Sequence, residues 1–90
     1  MKSSTKLVDP TTTEVDFIRS ELATGLTLSK IAKDSAWHAK SDRNRANARK
    51  AYDAVIRFLP RVTLTDEEAL ELKAKLEHLK GELTKLGEEV

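Results

Sequence analysis

From Leu64 onward the chain carries the pattern that most narrows what it can fold into. Leu64 precedes Thr65-x-x-Glu68, and Ala69, Leu72, Leu76, Leu79, Leu83, Leu86 and Val90 then follow in alternating steps of three and four. At 3.6 residues per turn these positions make a single seam along one helix. Thr65 and Glu68 have the spacing of a capping box, and Asp66, Glu67 and Glu68 fall in the first turn, where the helix dipole favours acids. Glu71 stands four residues before Lys75 as a helix-supporting pair, Gly81 falls off the seam, and Gly87 suits a C-terminal cap. The pattern predicts a helix over 65–87. A helix with one apolar seam is stable only if something covers that seam, so the rest of the chain, or a second copy of it, must supply apolar faces. We read the seam as the core of an intramolecular bundle, with a self-associating coiled coil as the other use of such a stripe.

Two further helices supply the cover. Ala48, Ala51, Tyr52, Val55, Ile56 and Leu59 share one face of a segment that Ser41 or Asp42 can cap and that Pro60 stops, which predicts a helix over 41–59. Upstream, Val15, Ile18, Leu22, Leu26, Ser29, Ala32 and Ala36 follow steps of three and four, with Thr11-x-x-Glu14 as a capping box, and predict a helix over 14–37. Phe17, Leu28 and Ile31 lie off that face and form a second, sparser stripe, as expected of a helix contacted from more than one side. Gly25, in its middle, permits a close helix approach or a bend. Residues 1–12 are polar, with Pro10 and a run of threonines, and read as a flexible, disordered tail. No β-type alternation occurs, so the expected fold is all-α: an antiparallel three-helix bundle over 13–90, joined by short connections.

Size and composition bound the function. Ninety residues make one domain, and 39% hydrophobic residues exceed what a disordered chain carries. With no cysteine, disulfides, thiolate nucleophiles and cysteine metal sites are excluded, and a reducing, cytoplasmic setting is the simplest expectation. No apolar run approaches the length of a signal peptide or of a membrane span, so no membrane partner is expected. Asp34 and His38 are the one metal-like pair, and no further ligands accompany them. Nothing resembles a nucleophile with its base, a glycine-rich phosphate loop or a paired-carboxylate cleft, so neither an enzyme nor a cofactor is expected. Trp37 and Tyr52 read as packing residues.

Charge is the functional signal. Residues 40–61 hold seven basic and two acidic side chains, whereas residues 62–90 hold four basic and eight acidic ones. Arg43, Lys50, Arg57 and Arg61 fall within about 40° of one another on a helical projection, opposite Val55 and Leu59. With Arg45 and Arg49 they are the candidate contacts to phosphates or to an acidic protein partner. A solvated face, partly paired with the acids of the third helix, is the plainer reading of the same residues. Phe17, Leu28, Ile31 and Tyr52 are the candidate groove or apolar patch, open to a partner protein or to a second copy in a homodimer.

Ala48-x-x-x-Tyr52-x-x-Val55-x-x-x-x-Pro60 resembles the second helix of a tetratricopeptide-type repeat over about thirteen residues. The preceding helix departs from that pattern, with Ala32, Ser35, Ala36 and Ala39 where the family has tryptophan, leucine, glycine and tyrosine. In length and in its charged final helix the chain is similar to the microtubule-interacting-and-transport type of domain. Around Asn47-Ala48-Arg49-Lys50-Ala51-Tyr52 it resembles short all-helical bacterial proteins. The first two resemblances imply a helical hairpin that binds a peptide or helix in a groove. The function expected from the sequence is therefore a non-enzymatic protein-interaction module, an adaptor or regulator. The alternative is a nucleic-acid-associated protein that uses the basic face of the second helix.

Overall fold

Leucine seam, alanine face and mixed first helix fold together as three α-helices: α1 over Pro10–Asp34, α2 over His38–Phe58 and α3 over Asp66–Lys85. The structure, a computed structural model, describes residues 10–90, with side chains from Thr13 onward. The tail expected over 1–12 lies, for residues 1–9, outside the described residues. Residues 10–12 are helical, so α1 begins earlier than the predicted position 14 and Thr11 stands inside the helix instead of capping it. Proline at the first position of a helix loses no hydrogen bond, because that N–H has no partner within the helix.

The corner between α1 and α2 also differs from expectation. α1 stops at Asp34, and Ser35–Trp37 make the turn. There the Ser35 hydroxyl accepts from the Trp37 N–H at 3.3 Å and faces the Trp37 carbonyl at 3.4 Å. Ala36, expected on the core face, is exposed, and Trp37, expected to pack, is 76% exposed. α2 starts at His38, three residues before the predicted 41, with Trp37 in extended geometry at its N-cap and no side-chain cap. Ser41 does other work: its hydroxyl donates to the Ala32 carbonyl at 2.8 Å, tying α2 to the end of α1. At the far end α2 finishes at Phe58, and Leu59–Arg61, with Pro60 inside, form one turn of 3-10 helix.

α3 follows its prediction most closely. Both halves of the capping box are made, Glu68 N–H to the Thr65 hydroxyl at 3.1 Å and Thr65 N–H to the Glu68 carboxylate at 2.9 Å. At the other end Gly87 has φ +94°. The Gly87 N–H reaches the Thr84 carbonyl at 3.0 Å and the Glu88 N–H the Leu83 carbonyl at 2.9 Å. That is the Schellman closure, which needs a left-handed residue at this position.

Val15, Ile18 and Leu22 of α1, Ala48, Tyr52 and Val55 of α2, and Leu72, Leu79 and Leu83 of α3 form one buried cluster. From the expected seam and face, Ala69 and Ile56 are exposed. α1 is the shared spine: it packs most extensively on α2, less on α3, and α2 and α3 touch each other little. This explains the apolar residues on more than one side of α1. Gly25 is where all three helices crowd, since a Cβ there would lie 2.7 Å from Leu79 Cδ2 and 3.4 Å from the Ala51 Cβ. It serves close approach.

Side-chain pairs mark the up-down-up order, with α1 and α3 parallel and α2 antiparallel to both. Early α1 meets early α3 through Arg19 and Glu71, bound twice at 2.9 and 2.8 Å. Late α1 meets late α3 through Lys33 and Glu82 at 3.5 Å. Phe17 of α1 meets Phe58 at the end of α2 edge-to-face, with ring centroids 5.5 Å apart. Hydrogen bonds from Arg19 above all, and from Lys75, hold the Glu71 carboxyl at about 2, below its ordinary 4.5, and Lys85 and Lys33 lower that of Glu82. A carboxylate whose pKa is depressed by folding stabilises the fold above its unfolded value and ceases to do so as pH falls through the folded one. Stability should therefore decline as pH falls from about 4.5 to about 2. Urea midpoints measured across that range should show a shallower decline in Glu71→Gln; an identical slope in the two proteins would remove Glu71 as the cause.

Candidate functional site

Apart from Lys40 near its start, which is exposed and makes no ion pair with a described residue, the cations of α2 divide into two sets. Arg45 and Arg49 are taken by Glu88, which the Schellman turn of α3 carries back towards α2: Arg45 Nε lies 3.2 Å and Arg49 Nη1 3.1 Å from its carboxylate. Each also holds an acid of its own helix, Arg45 pairing with Asp42 at 3.4 Å and Arg49 with Asp53 at 3.0 Å. The bond to Asp53 above all, with Glu88 adding to it, raises the pKa of Arg49 and keeps it protonated. These two arginines fasten α2 to the end of α3, and the expected pairing between the basic and acidic helices is realised here.

Arg43, Lys50 and Arg57 form the second set. All three are exposed, and none makes an ion pair with a described residue. They stand seven residues apart, so on one helix they form a straight row with steps of about 10.5 Å. Exposed Ala39, Ala46 and Asn47 and half-buried Ala54 lie on the same side, leaving short side chains between long cations. The two acids of this segment, Asp42 and Asp53, are already engaged with Arg45 and Arg49.

Arg61, in the turn beyond α2, joins this row to an apolar groove. Its guanidinium carbon sits 5.9 Å from the centre of the Phe58 ring, a cation–π distance. Phe58, Phe17, Val62, Arg61, Thr13 and Glu14 line an open groove of about 420 Å³. The residues expected to form one patch are not together. Tyr52 is buried in the core and cannot meet a partner, correcting its assignment to a groove. Leu28 is half-buried against the core, and Ile31, 37% exposed, stands fourteen residues along α1 from Phe17, about 21 Å away. Phe17 alone of the four lines the groove. Its partners Phe58 and Val62 flank Pro60, and their meeting with α1 depends on helix packing that no local pattern announces.

A second open groove, of about 440 Å³, lies between α1 and α3 and is lined by Leu26, Thr27, Lys30, Lys33, His78 and Glu82, with Asp34 at its edge. There Glu82 pairs with Lys33 at 3.5 Å and with Lys85 at 3.2 Å, so its carboxylate is balanced internally. Asp34 and His38 fall on opposite sides of the α1–α2 corner. Among the described residues no group of three or more histidine, aspartate or glutamate side chains could hold a metal ion, and no helix is long and apolar enough to cross a membrane. Compared with protein-family models, curated proteins and solved structures, the chain matches none.

Proposed function

We propose that this chain is a non-enzymatic protein-interaction module, of the adaptor or regulator kind, whose docking face is the outer side of α2. The observation that carries the reading is the division of the cations. Arg45 and Arg49 are used to hold the fold, while Arg43, Lys50 and Arg57 are left in a row with no ion partner among the described residues. An exposed like-charge row adds nothing to stability and opposes folding slightly through self-repulsion. A partner bearing acids would relieve it.

The test is affinity capture on the immobilised protein, comparing wild type with Arg43→Glu, Lys50→Glu and Arg57→Glu combined. The triple variant should keep its helicity and melting temperature and lose its captured proteins by at least about tenfold, the consequence of about 1.4 kcal/mol. Full retention by a folded variant would remove α2 as the docking face. The same row gives a second reading specific support, since three unpaired cations also suit phosphates. A nucleic-acid-binding protein would bind mixed-sequence duplex DNA with an affinity that falls steeply as salt rises.

A further inference from the structure

Resting on that reading, we infer the chemistry of the partner: an α-helical segment with carboxylates at seven-residue intervals and, beyond the last of them, an uncharged apolar side chain that enters the Phe17–Phe58 groove. Three observations lead there. The spacing of Arg43, Lys50 and Arg57, about 10.5 Å per step, is matched one to one by a second helix lying alongside α2 with its acids on one face. An extended segment is out of step, because 10.5 Å is about three residues of strand, and residues three apart point to opposite sides. Ala39, Ala46, Asn47 and Ala54 between the cations allow helix axes to approach to the usual separation of about 8–10 Å.

The groove sets the remaining feature. It opens beside the end of the row, and Arg61 belongs to it. The Phe17 and Phe58 rings and Val62 give it an apolar lining, and one cation, Arg61, and one carboxylate, Glu14, are also among its lining residues. Three of its six lining residues are apolar and the two charges cancel, so the side chain that fits is apolar and neutral. A second copy of this chain does not supply such a partner. Nowhere in its sequence do three acids stand at seven-residue intervals.

The probe is a labelled alanine-rich helical peptide of about three heptads, with one glutamate per heptad in register and a leucine one turn beyond the last. Its isomer has the same composition, with the glutamates spread around the helix. Fluorescence anisotropy should show the in-register peptide binding at least about tenfold more tightly than the isomer, and weakening when the leucine is replaced by serine. Equal binding of the two isomers, or no binding of either while the charge-reversed variant still loses its captured proteins, overturns the helical partner and leaves the docking face standing. Undiminished peptide binding by the charge-reversed variant overturns the face itself. Displacement of the peptide by duplex DNA, with steep salt dependence, assigns the row to nucleic acid and overturns the proposal.

Discussion

Leu79→Ala is expected to lower the unfolding free energy by about 3–5 kcal/mol, towards the upper end for leucine truncations. Leu79 is fully buried, and its two methyl groups lie over Gly25, where there is no side chain to move into the space they leave. A chain of this length has a total stability of roughly 5–13 kcal/mol, so the loss would remove a large part of it. The same geometry predicts a change of sign. In the wild-type background Gly25→Ala should destabilise by about 1 kcal/mol, because crowding costs of about 1–3 kcal/mol exceed the helix propensity gained. In Leu79→Ala the new methyl group enters the vacated volume, and the substitution should stabilise by about 1 kcal/mol. Urea unfolding of the four proteins, followed by far-UV circular dichroism, measures the coupling. Equal effects of Gly25→Ala in both backgrounds would show that the two residues do not compete for the same space.

Ser29→Ala should act in the opposite direction, raising stability by about 1–2 kcal/mol. The Ser29 hydroxyl is buried in the middle of α1 with no hydrogen-bond partner. Such a group loses its water on folding and receives nothing in exchange, a cost of about 1–3 kcal/mol in proteins, and alanine also favours the helix by a few tenths of a kcal/mol over serine. The cavity created by removing one oxygen offsets a fraction of this. A higher urea midpoint at unchanged slope is the expected result. A lower midpoint would mean that the hydroxyl is bonded in solution, with a water molecule as the obvious partner.

What could be read from the sequence follows how local the cause is. Both capping residues of α3 are legible, Thr65 with Glu68 at its start and Gly87 in the left-handed turn past its end, and the helix itself, Asp66–Lys85, is one residue shorter at the front and two at the back than the expected 65–87. The α1–α2 corner is three residues from expectation at both sides. No glycine or proline marks it: Ser35 makes the turn through its hydroxyl, and Ser41, which looks like a cap, bonds back to Ala32. α1 is already helical at Pro10, a residue that opens helices as readily as it interrupts them.

The candidate site divides along the same line. The row of Arg43, Lys50 and Arg57 is a property of one helix and shows in its periodicity. That Arg45 and Arg49 are unavailable depends on Glu88, some forty residues away, being returned by the turn at Gly87. Tyr52 is open to both readings from the sequence, since its position shares the core face and its hydroxyl suits a surface; its burial in the core cluster decides it. The groove at Phe17 needed the contact with Phe58, which only the tertiary arrangement creates.

Trp37 is the sole tryptophan and sits at the corner between α1 and α2 with its indole mostly in water. With 76% of its surface exposed, its emission in the native protein should be that of a solvated ring and should change little when the leucine core comes apart. As an optical probe it is blind to folding and sensitive to company: a shift to shorter wavelength would register a molecule settling on that corner of the hairpin while the bundle beneath stays intact.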